Sequence, residues 1–291
     1  MNNLENQGGV NKSVINWYPG HMTKAVRQMK EDIKLIDLVI ELLDARIPLS
    51  SRNPDIDDLG KNKARLVLLN KSDLADETDN NKWIQYFKDK GIIALKINSK
   101  NKQGIKDINN AVLTVCKEKI ERDKRKGIKN RPVRAMVVGI PNVGKSTFIN
   151  AYAGKNCAKT GNKPGVTKGK QWIRLGKNLE LLDTPGVLWP KFDDQKIGLH
   201  LAFIGSMNDN NLDMAELAYQ LIKEVSKTYP EAFLNRYGIV GDEDPLQVMY
   251  QVAEVRGCKL KGNKPDLDKT SSMIMDDFRS GKLGRITIDC L

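Results

Sequence analysis

The most informative motif of this sequence for its fold class is Gly139-Ile140-Pro141-Asn142-Val143-Gly144-Lys145-Ser146. It fits the pattern GxxxxGK[ST], follows an apolar run at residues 135–138, and precedes a predicted helix start at Thr147. In that setting the glycines let backbone N–H groups surround a phosphate, to which the helix N-terminus adds its positive end. Lys145 would reach the β and γ oxygens, and Ser146 would bind Mg²⁺. The alternative is a glycine-rich turn, since the pattern alone can match by chance. The predicted contacts here are Asn142, Val143, Gly144, Lys145, Ser146 and Thr147.

Short apolar runs recur along the first two thirds of the chain, and most are separated by stretches long enough for a helix. The runs lie at residues 38–43, 66–69, 92–97, 135–138 and 179–182. This alternation predicts an α/β fold, a mostly parallel sheet with helices on both faces. Residues 24–36 carry apolar side chains at spacings of three and four, which predicts an amphipathic helix. Each apolar run ends in polar residues, so we expect one ligand site at the carboxyl edge of the sheet.

A second phosphate motif follows the last of these runs, at Asp183-Thr184-Pro185-Gly186. Asp183 would hold Mg²⁺ through a water, and the Gly186 N–H would face the γ-phosphate. Between the two phosphate motifs lies Pro164-Gly165-Val166-Thr167, whose threonine can supply another hydroxyl to Mg²⁺. Taken alone this stretch is an ordinary turn, but its position between the two motifs favours Thr167 as a ligand.

Asn70-Lys71-Ser72-Asp73 matches the NKxD element that reads guanine. Guanine presents two donors, N1–H and the N2 amine, which one carboxylate accepts together, whereas adenine has an acceptor at N1. Asp73 would therefore select guanine, Lys71 would lie along the base plane, and Asn70 would tie this loop to the phosphate loop. Asn98-Ser99-Lys100 resembles the accompanying SAK element, in which a backbone N–H meets guanine O6. A helix N-cap after a strand is the alternative explanation of NKSD.

The order of these motifs is NKSD, NSK, phosphate loop, PGVT and DTPG, which differs from the standard order with the phosphate loop first. Because each motif ends its own strand, reconnecting the chain leaves the site intact. We therefore predict a circularly permuted P-loop GTPase domain at residues 1–190 that binds GTP and GDP. Residues 191–291 are predicted to form an all-α C-terminal domain, with helices at 193–205, 212–228, 245–256 and 270–281. The permutation joins the switch region directly to that domain.

The composition is that of a globular protein with a basic bias: 291 residues, with 48 Lys and Arg against 36 Asp and Glu, give a net charge of +12. It excludes a collagen, a coiled coil and a fully disordered chain. No apolar run is long enough to span a bilayer and no signal peptide is apparent, so we expect a cytoplasmic protein that does not contact membranes. The four scattered cysteines suggest neither a disulfide framework nor a zinc site.

The positive charge suggests a polyanionic partner, although a solvated basic surface is an equal alternative. Residues 117–134 contain nine Lys and Arg and three acids, and residues 155–177 contain seven Lys and Arg and no acid. The helical domain offers a further candidate RNA surface, although packing or solvation would explain any one of its cations. Those cations are Arg256, Lys259, Lys261, Lys264, Lys282 and Arg285.

Several further stretches carry a family resemblance. They are Asn16-Trp17-Tyr18-Pro19-Gly20-His21-Met22-Thr23-Lys24-Ala25, Asp44-Ala45-Arg46-Ile47-Pro48, Ser51-Arg52-Asn53-Pro54 and Gly281-Lys282-Leu283-Gly284-Arg285. Together with the motifs above, in this order, the chain from about residue 16 to its end resembles the ribosome biogenesis GTPase A (YlqF-type) family. The resemblance implies GTP hydrolysis that drives a late step of 50S assembly. It implies the large (50S) ribosomal subunit precursor, with its rRNA and ribosomal proteins, as the partner, and we expect a monomer.

The standard water-orienting residue of GTPases is absent from this sequence. Val187 stands where Ras-type enzymes place the glutamine that orients the attacking water, and valine cannot form that hydrogen bond. In the resembled family a hydrophobic residue replaces this glutamine, and the histidine of the PGHM motif is implicated in hydrolysis, a role that falls on His21. His21 follows Pro19-Gly20, which predicts a mobile turn, whereas His200 lies in an apolar helical pattern typical of a packed or surface residue. The resemblance also implies K⁺ beside the phosphates, bound partly by Asn142.

Two other classes of function remain open from the sequence. A permuted GTPase acting on RNA modification or signalling would be stimulated by another partner and would not bind ribosomal subunits. A catalytically silent RNA-binding module is disfavoured, because Lys145, Ser146, Thr167 and Asp183 are all present.

Overall fold

A computed structural model describes residues 27–128, 131–154, 157, 171–175, 179–184, 188, 194–241 and 244–291. Its centre is a six-stranded sheet. The strands are β1 (Leu38–Asp44), β2 (Ala64–Asn70), β3 (Ile93–Lys96), β4 (Val133–Val138), β5 (Gln171–Leu175) and β6 (Leu179–Asp183). Their order in the sheet is β3-β2-β1-β4-β6-β5, and all neighbouring pairs are parallel except β5 with β6. The predicted α/β class and mostly parallel sheet are confirmed.

Five of the six strands coincide with the predicted apolar runs, and β5 is the strand that the sequence did not reveal. It lies at the edge of the sheet and pairs only with β6. Ile173 is buried, but Trp172 beside it is 40% exposed. An edge strand with one covered face lacks the continuous apolar run that marks a strand buried on both faces.

The helices cover both faces of the sheet and make up the C-terminal third. Those of the first part are α1 (Asp55–Leu59), α2 (Glu77–Asp89), α3 (Ile108–Val115), α4 (Lys117–Arg125) and α5 (Lys145–Ala153). Those that follow β6 are α6 (Gln195–Phe203), α7 (Met214–Thr228), α8 (Glu231–Tyr237), α9 (Pro245–Val255) and α10 (Leu267–Arg279). Side chains fix several starts: the Asp76 carboxylate accepts from Thr78 N and Asp79 N, which caps α2.

The helix predicted at residues 24–36 is only partly right. Residues 27–32 are helical, Ile33–Leu35 form a 3₁₀ turn, and residues 24–26 lie outside the described part of the chain. The 3₁₀ turn tightens the chain before β1, and Ile33 and Ile36 still reach the core. The four helices predicted beyond residue 191 are present as α6, α7, α9 and α10, and α8 was not predicted.

Buried apolar side chains lie on both faces of the sheet. Every residue of β1 is buried, with Leu38, Ile40 and Leu42 in one cluster and Val39 in another. The first cluster continues through α6, α7 and α10 to Phe278. It therefore contains side chains from both parts of the chain, and the domain boundary at residues 190 and 191 stays a prediction. Among the described residues, no helix has the length and apolar character needed to cross a membrane.

Candidate nucleotide-binding site

The strand register brings the described parts of three predicted motifs to one edge of the sheet. Asp44 at the end of β1 pairs with Asn70 at the end of β2, and Asp183 at the end of β6 pairs with Val137 of β4. The phosphate loop begins at Gly139, directly after β4. The sheet thus brings the NKSD segment, the phosphate loop and Asp183-Thr184, the described part of DTPG, to the same edge.

Glycine is required at both ends of the phosphate loop by its close neighbours. A Cβ atom on Gly139 would lie 2.5 Å from the Leu42 carbonyl oxygen, so the loop passes directly against β1. Gly144 has φ of +99°, and its Cβ would lie 2.6 Å from Asn70 Nδ2. Both the backbone angle and the contact therefore exclude a side chain at residue 144.

Lys145 begins α5, and its ammonium group lies over the phosphate loop. Its Nζ donates to the Gly139 and Ile140 carbonyl oxygens at 2.9 and 2.7 Å, and the residue is largely buried. Phe148 N donates to Gly144 O at 2.8 Å, which completes the first turn containing Ser146 and Thr147. A buried cation at a helix N-terminus makes this concave loop favourable for an anion.

Asn70 joins three predicted motifs through one buried side chain. Its Nδ2 donates to Val143 O at 2.8 Å, in the phosphate loop. Its Oδ1 accepts from the Ser99 amide at 3.1 Å and from the Ser99 hydroxyl at 2.8 Å. The sequence predicted the first contact, whereas the bracing of Asn70 by Ser99 is a new feature.

Lys71 contacts both the phosphate loop and the end of β1, while Asp73 faces solvent. Lys71 adopts φ of +58°, and its Nζ donates to Asn142 O and to Asp44 Oδ2, both at 2.9 Å. Burial lowers the pKa of the Lys71 ammonium, and the Asp44 carboxylate opposes that shift. Asp73 is exposed at the open side of the loop, where a base could reach it.

The ion pair of Asp44 with Arg46 lies behind Lys71, and sequence reasoning assigned these two residues no role. Arg46 Nε and Nη2 donate to the two Asp44 carboxylate oxygens at 2.8 Å each, and both side chains are buried. Burial would raise the pKa of Asp44, but Arg46 and Lys71 outweigh it and hold that pKa well below its usual range. The sequence did contain a signal for this ion pair. Asp44 ends one predicted strand, Arg46 follows two residues later, and the next strand along the chain ends in NKSD.

The phosphate loop also contacts the helical part of the chain. Asn142 has φ of +58°, and its Nδ2 donates to Gly205 O at 2.6 Å. Ser206 Oγ donates to Pro141 O at 2.8 Å. The turn after α6 therefore holds two residues of the phosphate loop, a contact that motif analysis did not predict.

Comparison with known proteins identifies the family. Residues 134–249 match a family model described as "50S ribosome-binding GTPase". A protein named "Ribosome biogenesis GTPase A" from Bacillus cereus is 50% identical over 277 residues, covering 95% of this chain and 94% of that protein. The chain belongs to the ribosome biogenesis GTPase A family. It is therefore a GTPase that binds guanine nucleotide, hydrolyses GTP and takes part in ribosome biogenesis.

Two solved structures of this family share the permuted fold. A GDP-bound structure titled "TM YlqF" superposes with a TM-score of 0.66 at 26% identity, covering 90% of this chain and 98% of that one. The GNP-bound YlqF from T. maritima gives 0.64 at 27% identity, covering 91% of this chain and 97% of that one. The circular permutation predicted from motif order is confirmed.

Some predicted site residues of this GTPase fall outside the described part of the chain. They are His21, Thr167 and Gly186. Asp183 is described by its main chain, which ends β6 next to β4. Asn98, predicted beside the base, is buried, and its Oδ1 accepts from the Lys100 and Asn101 amides at 2.9 and 3.0 Å. Asn98 therefore stabilises the turn that contains Ser99.

His200 is packed within α6, as its apolar surroundings predicted, but its hydrogen-bond partners were not foreseen. Its Nδ1 lies 3.0 Å from Ser50 Oγ and 2.9 Å from Asp289 Oδ1, and its Nε2 lies 2.9 Å from Glu224 Oε2. Burial lowers its pKa, but Asp289 and Glu224 outweigh burial and raise it to about 9. His200 thus connects α6 and α7 to the C-terminus and to the loop after β1.

Proposed function

We propose that this GTPase binds the large (50S) ribosomal subunit precursor and hydrolyses GTP to drive a late step of its assembly. The observation that carries the proposal is the match of residues 134–249 to a family described as 50S ribosome-binding GTPases. That range includes the phosphate loop and continues into α9. On this proposal the chain acts as a monomer in the cytoplasm, where the subunits are assembled, with rRNA and ribosomal proteins as its contacts.

In the proposed site, Asp73 accepts from guanine N1–H and the N2 amine, and Lys71 lies along the base. The support is the exposure of Asp73 and the Lys71 bridge to Asn142 O, which joins base and phosphate recognition. The phosphates lie against the loop that ends at Gly144, where Lys145 supplies the positive charge. The proposed nucleotide contacts are Asn70, Lys71, Asp73, Asn98, Ser99, Asn142, Val143, Gly144, Lys145, Ser146, Thr147, Thr167 and Gly186.

The residues at this edge suit Mg²⁺, which prefers oxygen ligands. Ser146 lies in the first turn of α5, and Asp183 ends the strand beside the one that leads into the phosphate loop. These two residues, with Thr167, would hold the ion, which would neutralise charge on the phosphates. Asn142 is the proposed K⁺ ligand through Oδ1, because its Nδ2 donates to Gly205 O. Equal hydrolysis rates in Na⁺ and K⁺ buffers would remove K⁺ from the proposal.

His21 is proposed to orient the attacking water in place of the missing glutamine. His21→Ala should leave GTP affinity near normal and abolish the hydrolysis that ribosomal subunits stimulate. GTP affinity can be measured with a fluorescent analogue and turnover by phosphate release, with and without large subunits. Unchanged stimulated turnover in the variant would exclude His21 from the mechanism.

Cosedimentation with large subunits tests the proposed partner. The chain should pellet with large subunits and not with small subunits, and more strongly with a nonhydrolysable GTP analogue than with GDP. Large subunits should also stimulate GTP hydrolysis. Stimulation by some other partner, without subunit binding, would support instead the GTPase of RNA modification or signalling.

The turn between α9 and α10 supports RNA binding by the helical part. Residues 259–265 are exposed, and main-chain bonds such as Leu260 N to Lys264 O hold the turn. Lys259, Lys261 and Lys264 lie on it and form no ion pair within the described part of the chain. Replacing all three by alanine should weaken cosedimentation more than replacing three exposed lysines elsewhere in the helices. The matched control set is Lys223, Lys227 and Lys269.

A further inference from the structure

The C-terminal tail, residues 281–289, lies along the base loop, residues 70–76. Arg285 makes two contacts there: its Nε donates to Ala75 O at 2.9 Å, and its Nη2 donates to Ser72 O at 3.2 Å. These two carbonyl groups flank Asp73 along the chain. One guanidinium from the end of the protein therefore bridges the segment that carries the proposed guanine-reading carboxylate.

The tail main chain holds the same loop at further points. Ile286 N donates to Leu74 O at 3.0 Å, and Asp76 N donates to Thr287 Oγ1 at 3.1 Å. Gly281, with φ of +78°, packs so closely on Leu74 that an added Cβ would lie 2.6 Å from Leu74 Cδ2. Every residue from 72 to 76 except Asp73 itself therefore contacts the tail.

Lys71 is connected to the tail through the buried ion pair. Ile288 N donates to Arg46 O at 2.7 Å, and Arg46 forms the two-point contact with Asp44 that also binds Lys71. The tail is thus linked to Lys71, the other predicted base-contacting residue of the loop, through Arg46 and Asp44.

We propose that the tail is part of the guanine-recognition apparatus and that Arg285 is a positioning residue for Asp73. The inference rests on the proposed role of Asp73. Two hydrogen bonds from guanine to one carboxylate require a fixed position, because a hydrogen bond weakens steeply with misalignment. Within the first part of the chain, the loop main chain is held near Asp73 by Asn80 Nδ2 to Ser72 O and by Ser72 N to Ile97 O. Leu74 N also donates to Lys71 O at 2.9 Å, and the tail adds hydrogen bonds to the carbonyl groups of Ser72, Leu74 and Ala75, on both sides of Asp73.

The test compares GDP with inosine diphosphate, which lacks only the N2 amine. The ratio of their dissociation constants reports the hydrogen bond between that amine and Asp73, and we expect about tenfold for the unaltered chain. Arg285→Ala should reduce the ratio to about twofold, because the carboxylate is no longer fixed. Arg285→Lys keeps the charge but not the two-carbonyl geometry, so it should retain only part of the discrimination. Lys282→Ala is the control: it removes a tail cation that pairs with Asp277 and should keep the full ratio.

A purely structural role for Arg285 would lower both affinities equally and leave the ratio unchanged. An unchanged ratio in both Arg285 variants therefore overturns the inference. Asp73→Asn separates this failure from failure of the proposed function. If Asp73→Asn loses the discrimination while the Arg285 variants keep it, Asp73 reads guanine and the tail does not position it. If Asp73→Asn also keeps it, the assignment of Asp73 itself is wrong.

Discussion

Replacing Asp44 by asparagine should be among the most damaging single changes in this protein, although Asp44 is not predicted to contact the nucleotide. Its carboxylate is completely buried and accepts from Arg46 Nε, Arg46 Nη2 and Lys71 Nζ. Asparagine has nearly the same shape but turns one acceptor oxygen into a donor. The Arg46 guanidinium, which is 1% exposed, then has a donor facing it and no counter-charge.

The magnitude follows from the cost of leaving a buried charge unpaired. Breaking a buried ion pair by removing one partner costs about 3–5 kcal/mol, which is a large share of a typical stability of about 5–15 kcal/mol. At about 2–4 °C per kcal/mol for a chain of this size, the melting temperature should fall by about 10 °C. The native pKa of Asp44 is lowered, so its contribution is fully present above the unfolded value of about 4 and is lost as pH falls through the lowered value. Measurements at pH 7 therefore see the whole effect.

The assay is urea unfolding of four proteins: the unaltered chain, Asp44→Asn, Arg46→Gln and the double variant. If Asp44 and Arg46 interact as the geometry shows, the effects of the two substitutions will not add. The decrease in the free energy of unfolding should be at least about 1 kcal/mol smaller in the double variant than the sum of the decreases in the two single variants. GDP affinity should also fall in Asp44→Asn, because Lys71 loses the carboxylate that holds it beside Asn142 O. Losses that add within about 0.5 kcal/mol, or a loss below about 1 kcal/mol for Asp44→Asn, would refute the reasoning.

Two further predictions test other contacts. Gly144→Ala should weaken GDP binding by at least about tenfold, because φ of +99° and the contact with Asn70 Nδ2 exclude a side chain. Gly154→Ala is its control: φ is +70° but nothing lies within 4 Å of the added carbon, so GDP affinity should not change, and equal effects of the two substitutions would contradict the contact. For His200, the raised pKa of about 9 means that the ion pairs stabilise the fold fully below pH 6.5, and that this contribution is lost as pH rises through 9. The free energy of unfolding, obtained from urea titrations, should fall between pH 6.5 and 9.5 by on the order of 3 kcal/mol, and His200→Gln should flatten that profile; a parallel fall in the variant would rule out His200 as the cause.

Sequence reasoning located the strands and motifs of this fold because they depend on local pattern. The runs that became β1, β2 and β4 are apolar because these strands are covered on both faces, and the polar residue after each run marks the carboxyl edge. From motif order alone the permutation could be predicted, since each motif needs only its own strand end. The link from Asn70 to the phosphate loop followed from the chemistry of NKSD and is present at 2.8 Å.

The sequence could not show contacts between residues that are far apart in the chain, because no local pattern links such residues. Arg285 looked like one of several basic residues free to meet RNA, but it binds Ala75 O and Ser72 O about 210 residues away. His200 looked like a packed helix residue, and only the fold brings it to Asp289. Charge and hydropathy indicate whether a side chain requires burial, a hydrogen-bond partner or a counter-charge. Which residue becomes its partner depends on how the helices and strands pack.

The helical part of this GTPase contacts the loops of the proposed nucleotide site at more places than the covalent link alone. Motif order predicted one route, from the switch region into α6. The structure adds contacts at three loops of the same sheet edge: Ser206 with the phosphate loop, the tail with the base loop, and Ile288 with Arg46. A rearrangement of α6 or α10 must therefore strain or break hydrogen bonds at loops proposed to hold phosphate and base. Coupling of this kind is reciprocal, so nucleotide that orders these loops also stabilises the observed position of the helices. In this fold the turn after α6 and the C-terminal tail contact the loops proposed to hold the nucleotide, so we expect nucleotide binding to change the free energy of any rearrangement of these helices.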